Sequence, residues 1–344
     1  MIATEPELLG SSRPALAPGQ HLLEVDDLAV EFRTRDGVVH AVDGVSYTLD
    51  PGETLAILGE SGSGKSVSAQ AIMGILDMPP AVITRGKVRY RGTNLLKLSD
   101  HERRKIRGPG ISMIFQDALT ALNPVYPVGW QIAEMFRVHR GDSKNVATEK
   151  AIALMERVHI PSARERVRDY PHQFSGGMRQ RVMIAMALAL DPDILIADEP
   201  TTALDVTVQA QIMDLLAELQ EQTGMGLILI THDLGVVAQV ADRVAVMYAG
   251  RIVETANIDE IYRHPAHPYT EGLIASIPRL DQKGHPLQPI TGSPPNLMRV
   301  PPGCSFHPRC PYRRERCSVD EPPLYQVTPD RHSACHYFQE VLDG

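Results

Sequence analysis

The stretch "LAILGESGSGKS", Leu55 to Ser66, places Gly59, four more residues, then Gly64, Lys65 and Ser66 directly after an apolar run. The run "LAIL" reads as a buried strand, and from Ser66 the sequence "SVSAQAIMGIL" spaces its apolar residues as a helix does. Strand, glycine-rich turn and helix in that order are the context a phosphate-binding loop needs. Glycines let consecutive backbone N–H groups turn toward one anion, and the helix N-terminus adds positive potential. Lys65 would reach the β- and γ-phosphates of a nucleotide, and the Ser66 hydroxyl would ligate Mg²⁺. Ser61, Gly62, Ser63 and Val67 complete this candidate binding set.

Upstream, "LLEVDDLAVEFRT" and "VVHAVDGVSYTL" are alternating runs separated by turn signals, which predicts strands. Residues 1 to 20, rich in Pro, Ala and Ser, read as a disordered tail. Downstream, the stretch from about Asp117 to Tyr170 carries helical patterns and few strand signals, so it reads as a helical insertion. "DILIAD" and "GLILITHD" are short apolar runs ending in acidic or polar residues, as buried parallel strands with chemistry at their C-terminal ends would be. Asp198, at the end of the first, suits a Mg²⁺ held through water, and Glu199 suits polarising an attacking water. In "HQFSGGMRQRVMIAMALAL", Ser175, Gly176 and Gly177 open a long helical pattern and so form a second anion-binding helix start. One nucleotide site already has its loop, so a second such element suggests that a facing subunit completes the site.

Composition narrows the class. The chain has 344 residues, is 43% hydrophobic and 22% charged, and carries a net charge of −8. That balance fits a globular protein of two or three units and argues against nucleic acid as the main partner. No secretory signal is visible, and the longest apolar run, "VMIAMALAL", is half a membrane span. A chain located in the cytosol is expected.

In order, these segments resemble the ATP-binding subunits of ABC transporters over roughly residues 21 to 265. The resemblance implies an α/β fold: a P-loop NTPase (RecA-like) core with an antiparallel β subdomain, a helical insertion and a small cysteine-bearing C-terminal domain. It makes Gln116 in "MIFQD" the Q-loop, Asp205 closing "TALD" the D-loop, and His232 in "LITHD" the switch histidine. Gln116, Glu199 and His232 would then be catalytic, and Gln116 would join Ser66 and Asp198 at Mg²⁺. Asp205, Ser175, Gly176 and Gly177 would contact ATP across the interface of a head-to-tail dimer. Phe32 in "LAVEF" matches the position that stacks on adenine, although its alternation with Ala29 and Glu31 also suits a core residue.

Beyond His264, "RHPAHPYTEGLIASIP" and the cysteine-bearing tail are similar to the extension of oligopeptide and dipeptide importer ATPases, the OppD/DppD type. The implied organisation is an ATPase domain over 21–264, with its helical part at about 117–185, and an extension over 265–344. The implied partners are a second ABC ATPase, two transmembrane permease subunits and an extracytoplasmic peptide-binding protein. The implied place is the cytoplasmic face of the cell membrane. The competing readings are a soluble ABC ATPase acting on DNA or ribosomes, an importer ATPase for another solute such as nickel, and a metal- or redox-sensing module. Only about 108 residues separate Ser66 from Phe174, with no sustained heptads, which disfavours the DNA-organising class.

All four cysteines, Cys304, Cys310, Cys317 and Cys335, lie in the last 41 residues of the chain, with five, six and seventeen residues between them. Disulfides are rare in the cytosol, so a ligand set is expected. Four thiolates suit either Zn²⁺ or an iron–sulfur cluster, and residue chemistry puts Zn²⁺ ahead. Arg309, Arg313, Arg314 and Arg316 would offset the anionic charge of such a site. Resemblance to the peptide-importer ATPases implies a [4Fe–4S] cluster with a mainly structural role.

Overall fold

The structure, a computed structural model, describes residues 16–202, 204–276 and 289–343. Most of the expected N-terminal tail lies outside the described residues, as does Ala203 of the "TALD" segment. The chain divides into two compact units, one made of residues up to Leu22 with 50–52 and 97–228, the other of 23–49, 53–96 and 229–344. The expected boundary at residue 264 falls inside the second of these.

The second unit contains the predicted strands. Leu23–Thr34 is flanked by Gly37–Leu49 on one side and Ala81–Tyr90 on the other, both antiparallel, with Thr93–Asn94 at the edge. Its inward positions Leu23, Val25, Leu28 and Val30 are buried, which fixes the register of this sheet. A second sheet in the same unit runs Tyr325–Thr328, Arg331–Ser333, Arg251–Asn257, Arg243–Tyr248, Thr54–Leu58. The pairing of Thr54–Leu58 with Arg243–Tyr248 is parallel, and all five residues of Thr54–Leu58 are buried. A strand covered on both faces reads as an unbroken apolar run, as "LAIL" does.

Described residues of the extension after His264 share a core with the strands before it. Tyr269, Ile274 and Phe306 join Leu58, Val246, Tyr248 and Val253 in one buried cluster, with Cys304 and Cys310 packed against it. Its strand Arg331–Ser333 pairs antiparallel with Arg251–Asn257. At that seam Arg331 forms an ion pair with fully buried Glu254, whose carboxylate also accepts from the N–H groups of Ala266 and His267. So short a segment cannot bury enough surface alone, and sharing a core with the phosphate-loop strand removes that difficulty.

The first unit is mainly helical, with Val128–Arg140, Lys144–Arg157 and Gly176–Leu188 packed on one another. The last of these also covers the strand Ile111–Ile114, which pairs in parallel with Ile194–Asp198. Gly141 closes the first helix in a left-handed conformation, and the Ser143 hydroxyl caps the next, so one short turn separates them. No described helix is long and apolar enough to cross a membrane.

Candidate functional site

The strand Thr54–Leu58 delivers the chain to Gly59, and the helix Lys65–Met73 leaves from Gly64. Both glycines are required. Gly64 has φ +103°, and a Cβ there would lie 2.2 Å from the Ala41 carbonyl oxygen. A Cβ on Gly59 would lie 2.2 Å from the Met247 carbonyl oxygen. Between them the Ser63 carbonyl accepts from the Gly250 N–H at 2.9 Å. The Lys65 ammonium, on a residue only 4% exposed, donates to the carbonyls of Gly59 (2.6 Å) and Glu60 (3.0 Å). Ser63 Oγ is buried without a hydrogen-bond partner. A buried cation and an unsatisfied hydroxyl in a glycine loop at a helix start fit a phosphate chain. Ser66 and Val67 follow half-buried in the first turn, while Ser61 and Gly62 are exposed.

Two residues that sequence reasoning did not assign to the site, Tyr269 and Arg309, hold this loop at Glu60. The Glu60 N–H donates to the Tyr269 hydroxyl at 2.8 Å. The Glu60 carboxylate accepts from both terminal nitrogens of Arg309, at 2.6 and 3.1 Å. Burial of the Arg309 guanidinium works against its charge, and Glu60 and Tyr248 more than offset this, so its pKa rises. The expectation that four arginines offset a cysteine site is therefore corrected for three of them. Arg309 turns to Glu60, Arg314 to Glu340 and Arg316 to Asp320. Each finds a carboxylate within reach, and a thiol held protonated by burial exerts no comparable attraction.

In the first unit, Asp198 ends the strand Ile194–Asp198 and is buried. Glu199 follows with φ +45°, a left-handed conformation that a side chain adopts at a cost and that turns its carboxylate out of the strand. Its Oε2 accepts from Gln116 Nε2 and from the Thr202 hydroxyl, both at 2.9 Å. Gln116 and Glu199 are thus brought together across 83 residues of sequence. The Ser175 hydroxyl caps the helix Gly176–Leu188 at the Met178 N–H, and Asp205 caps Val206–Thr223 at the Val208 N–H. Gly176 is exposed with room for a side chain, whereas a Cβ on Gly177 would lie 2.6 Å from Val208 Cγ1. His232, in the second unit, is exposed just after the strand Gly226–Thr231. Phe32 is half-buried, paired with Val39 and Ala81 on neighbouring strands.

The four cysteines converge. Cys304, Cys310, Cys317 and Cys335 line one small cavity together with Phe306, His307 and Tyr337. Burial pushes the Cys310 thiol up to about 12 and the Cys335 thiol up to about 11, and the nearby cysteines push in the same direction. Among the described residues, however, no three His, Cys, Asp or Glu side chains are arranged to hold a metal ion. The expected ligand set for iron–sulfur or Zn²⁺ is gathered without being drawn into a ligating geometry.

Residues 42–202 match the family model for ABC transporters, and residues 253–317 match that for the oligopeptide/dipeptide transporter C-terminal region. A dipeptide transport ATP-binding protein, DppD of Bacillus subtilis, is 53% identical over 321 residues, covering 93% of this chain and 96% of the relative. The oligopeptide transport ATP-binding protein OppD of Salmonella typhimurium is 51% identical, covering 92% and 94%. Among solved structures, a dimeric ATP-binding cassette in a post-hydrolysis state with ADP and Pi aligns with TM-score 0.62 at 28% identity. It covers 69% of this chain and 98% of that one.

Proposed function

This chain belongs to the ATP-binding subunits of ABC transporters, in their oligopeptide and dipeptide branch, and from that membership we propose how its residues divide the work. It is an ATPase whose hydrolysis drives peptide transport. The observation that carries the residue assignment is the loop from Gly59 to Ser66, with its two crowded glycines and buried Lys65.

In the proposed site, Lys65 leaves the loop carbonyls for the β- and γ-phosphates, while backbone N–H groups from Ser61 to Val67 bind the remaining oxygens. Ser66, Asp198 and Gln116 would hold Mg²⁺, which supplies charge neutralisation on the transferring phosphoryl group. Glu199 accepts a proton from the attacking water as its oxygen bonds to the γ-phosphorus. The bond to the β-phosphate oxygen breaks, and ADP and inorganic phosphate leave. Gln116 and Thr202, which donate to the Glu199 carboxylate, hold it in place for that step. His232 would complete the site, and Phe32, half-buried at a strand edge, would stack on the adenine.

Ser175, Gly176 and Gly177 would meet the γ-phosphate on a second ATPase, forming a head-to-tail pair with a different subunit. Closing on two ATP molecules and reopening after hydrolysis would drive two permease subunits at the cytoplasmic face, with a binding protein supplying the peptide. Phe115, Leu119 and Val125, exposed in the stretch of sequence that contains Gln116, support a docked permease segment there. For the composite site the cleaner test is Gly176→Asp, because position 177 would also clash with Val208. This variant should bind ATP on the isolated subunit within about twofold of normal and fail to close, since like charges across an interface cost several kcal/mol. Gel filtration and nucleotide titration separate the two. Unimpaired ATP-driven closure would remove the SGG segment from the interface.

For the extension, residues 265–344, the shared cavity supports Cys304, Cys310, Cys317 and Cys335 as ligands of a [4Fe–4S] cluster, with Zn²⁺ as the alternative. Such a centre would supply the positive charge that ionises the buried thiols and ties the tail loops together. Anaerobically purified protein should contain about four iron and four sulfide per chain, and any one Cys→Ser change should lose them. Stoichiometric zinc without sulfide would decide for a Cys₄ zinc site.

A further inference from the structure

Glu60, the second residue of the phosphate loop, is fixed at three points. Its N–H is held by the Tyr269 hydroxyl, its carbonyl by the Lys65 ammonium, and its carboxylate by both terminal nitrogens of Arg309. Two of these three partners come from the extension. Arg309 is itself rigidly placed: its side chain is 4% exposed, its Nε donates to the Thr291 carbonyl at 3.0 Å, and it lies over the rings of Tyr248 and Phe306. Exposed ion pairs contribute little, but a buried guanidinium that meets a carboxylate with two parallel bonds fixes geometry as well as charge. Glu60 lies outside the apolar cluster, in the turn between strand and helix. The pair therefore acts on the shape of the loop.

We propose that Arg309 is a positioning residue for the ATP site of its own chain: by clamping Glu60 it holds the phosphate loop in its receptive form. The inference rests on the reading of Gly59–Ser66 as the ATP-binding loop. Without the clamp, nucleotide binding must order the first half of the loop, and affinity falls by that cost. Because Arg309 directly precedes Cys310, the cysteine-bearing segment and the nucleotide loop are joined through one side chain.

The test uses the full chain titrated with a fluorescent ATP analogue in Mg²⁺. Arg309→Ala and Glu60→Gln should each raise Kd by about tenfold, and Arg309→Lys, which keeps the charge but loses the paired geometry, should fall between. The double variant Glu60→Gln/Arg309→Ala should lie within about twofold of either single change, because Arg309 acts through Glu60. In the assembled transporter, KM for ATP should rise in step while kcat stays within about twofold. A merely structural tail would reduce the active fraction, lowering apparent kcat and leaving KM unchanged. Normal affinity in Arg309→Ala, or losses that multiply in the double variant, would overturn the proposal. Should Arg309→Ala not fold, Glu60→Gln decides alone, and an unchanged Kd there counts against it. Lys65→Ala separates the two levels: if it alone loses binding, the clamp is wrong and the loop reading stands. If it too binds normally, the loop reading itself has failed.

Discussion

Glu199→Gln is expected to bind ATP with nearly normal affinity and to lose hydrolysis by at least about 100-fold. The amide keeps the size of the carboxylate and can still occupy the pocket beside Gln116 and Thr202. It cannot accept a proton from water, so the developing positive charge on the nucleophile is left without a base. Because ATP binding is retained, the variant should also accumulate in the closed dimer. Steady-state phosphate release in the assembled transporter, paired with an ATP titration, checks both halves. Turnover near that of the unaltered protein would remove Glu199 from its role as general base.

Lys65→Ala is expected to fail one step earlier. Hydrogen bonds to charged groups contribute roughly 1.5–3 kcal/mol, so losing the ammonium should weaken ATP binding by about 10- to 150-fold. The fold should survive, because the described hydrogen bonds of the Lys65 ammonium go to carbonyls of the loop, those of Gly59 and Glu60, and the helix Lys65–Met73 gains a good helix former. A binding titration alongside a thermal melt checks this. Unchanged affinity would mean that the ammonium does not reach the phosphates.

The two variants also mark what the sequence discloses. Gly59, Gly64, Lys65 and Ser66 are legible because their signal is local: a buried strand, a turn that excludes Cβ atoms, and a helix start lie within twelve residues. Asp198 and Glu199 are legible for the same reason, at the end of an apolar run. The contact of Gln116 with Glu199 spans 83 residues, and residue order alone gives neither its distance nor its donor. The clamp of Arg309 on Glu60 spans 249 residues and is harder still, since an arginine among cysteines has an obvious local explanation that the structure replaces. The extension illustrates the same limit. Its strand Arg331–Ser333 is three residues long and has no usable periodicity, yet it pairs with Arg251–Asn257 and closes over Glu254. Where a segment borrows its core from another, pattern within the segment carries little information.

The most direct test of the account is uptake of a labelled dipeptide by cells in which this chain has been removed and then restored. The unaltered chain should restore accumulation, while Glu199→Gln, expressed to the same level and assembled with the permeases, should leave uptake at the background of the deleted strain. Peptide accumulation that persists without the chain, or that Glu199→Gln restores in full, would contradict the claim that ATP hydrolysis by this subunit drives transport.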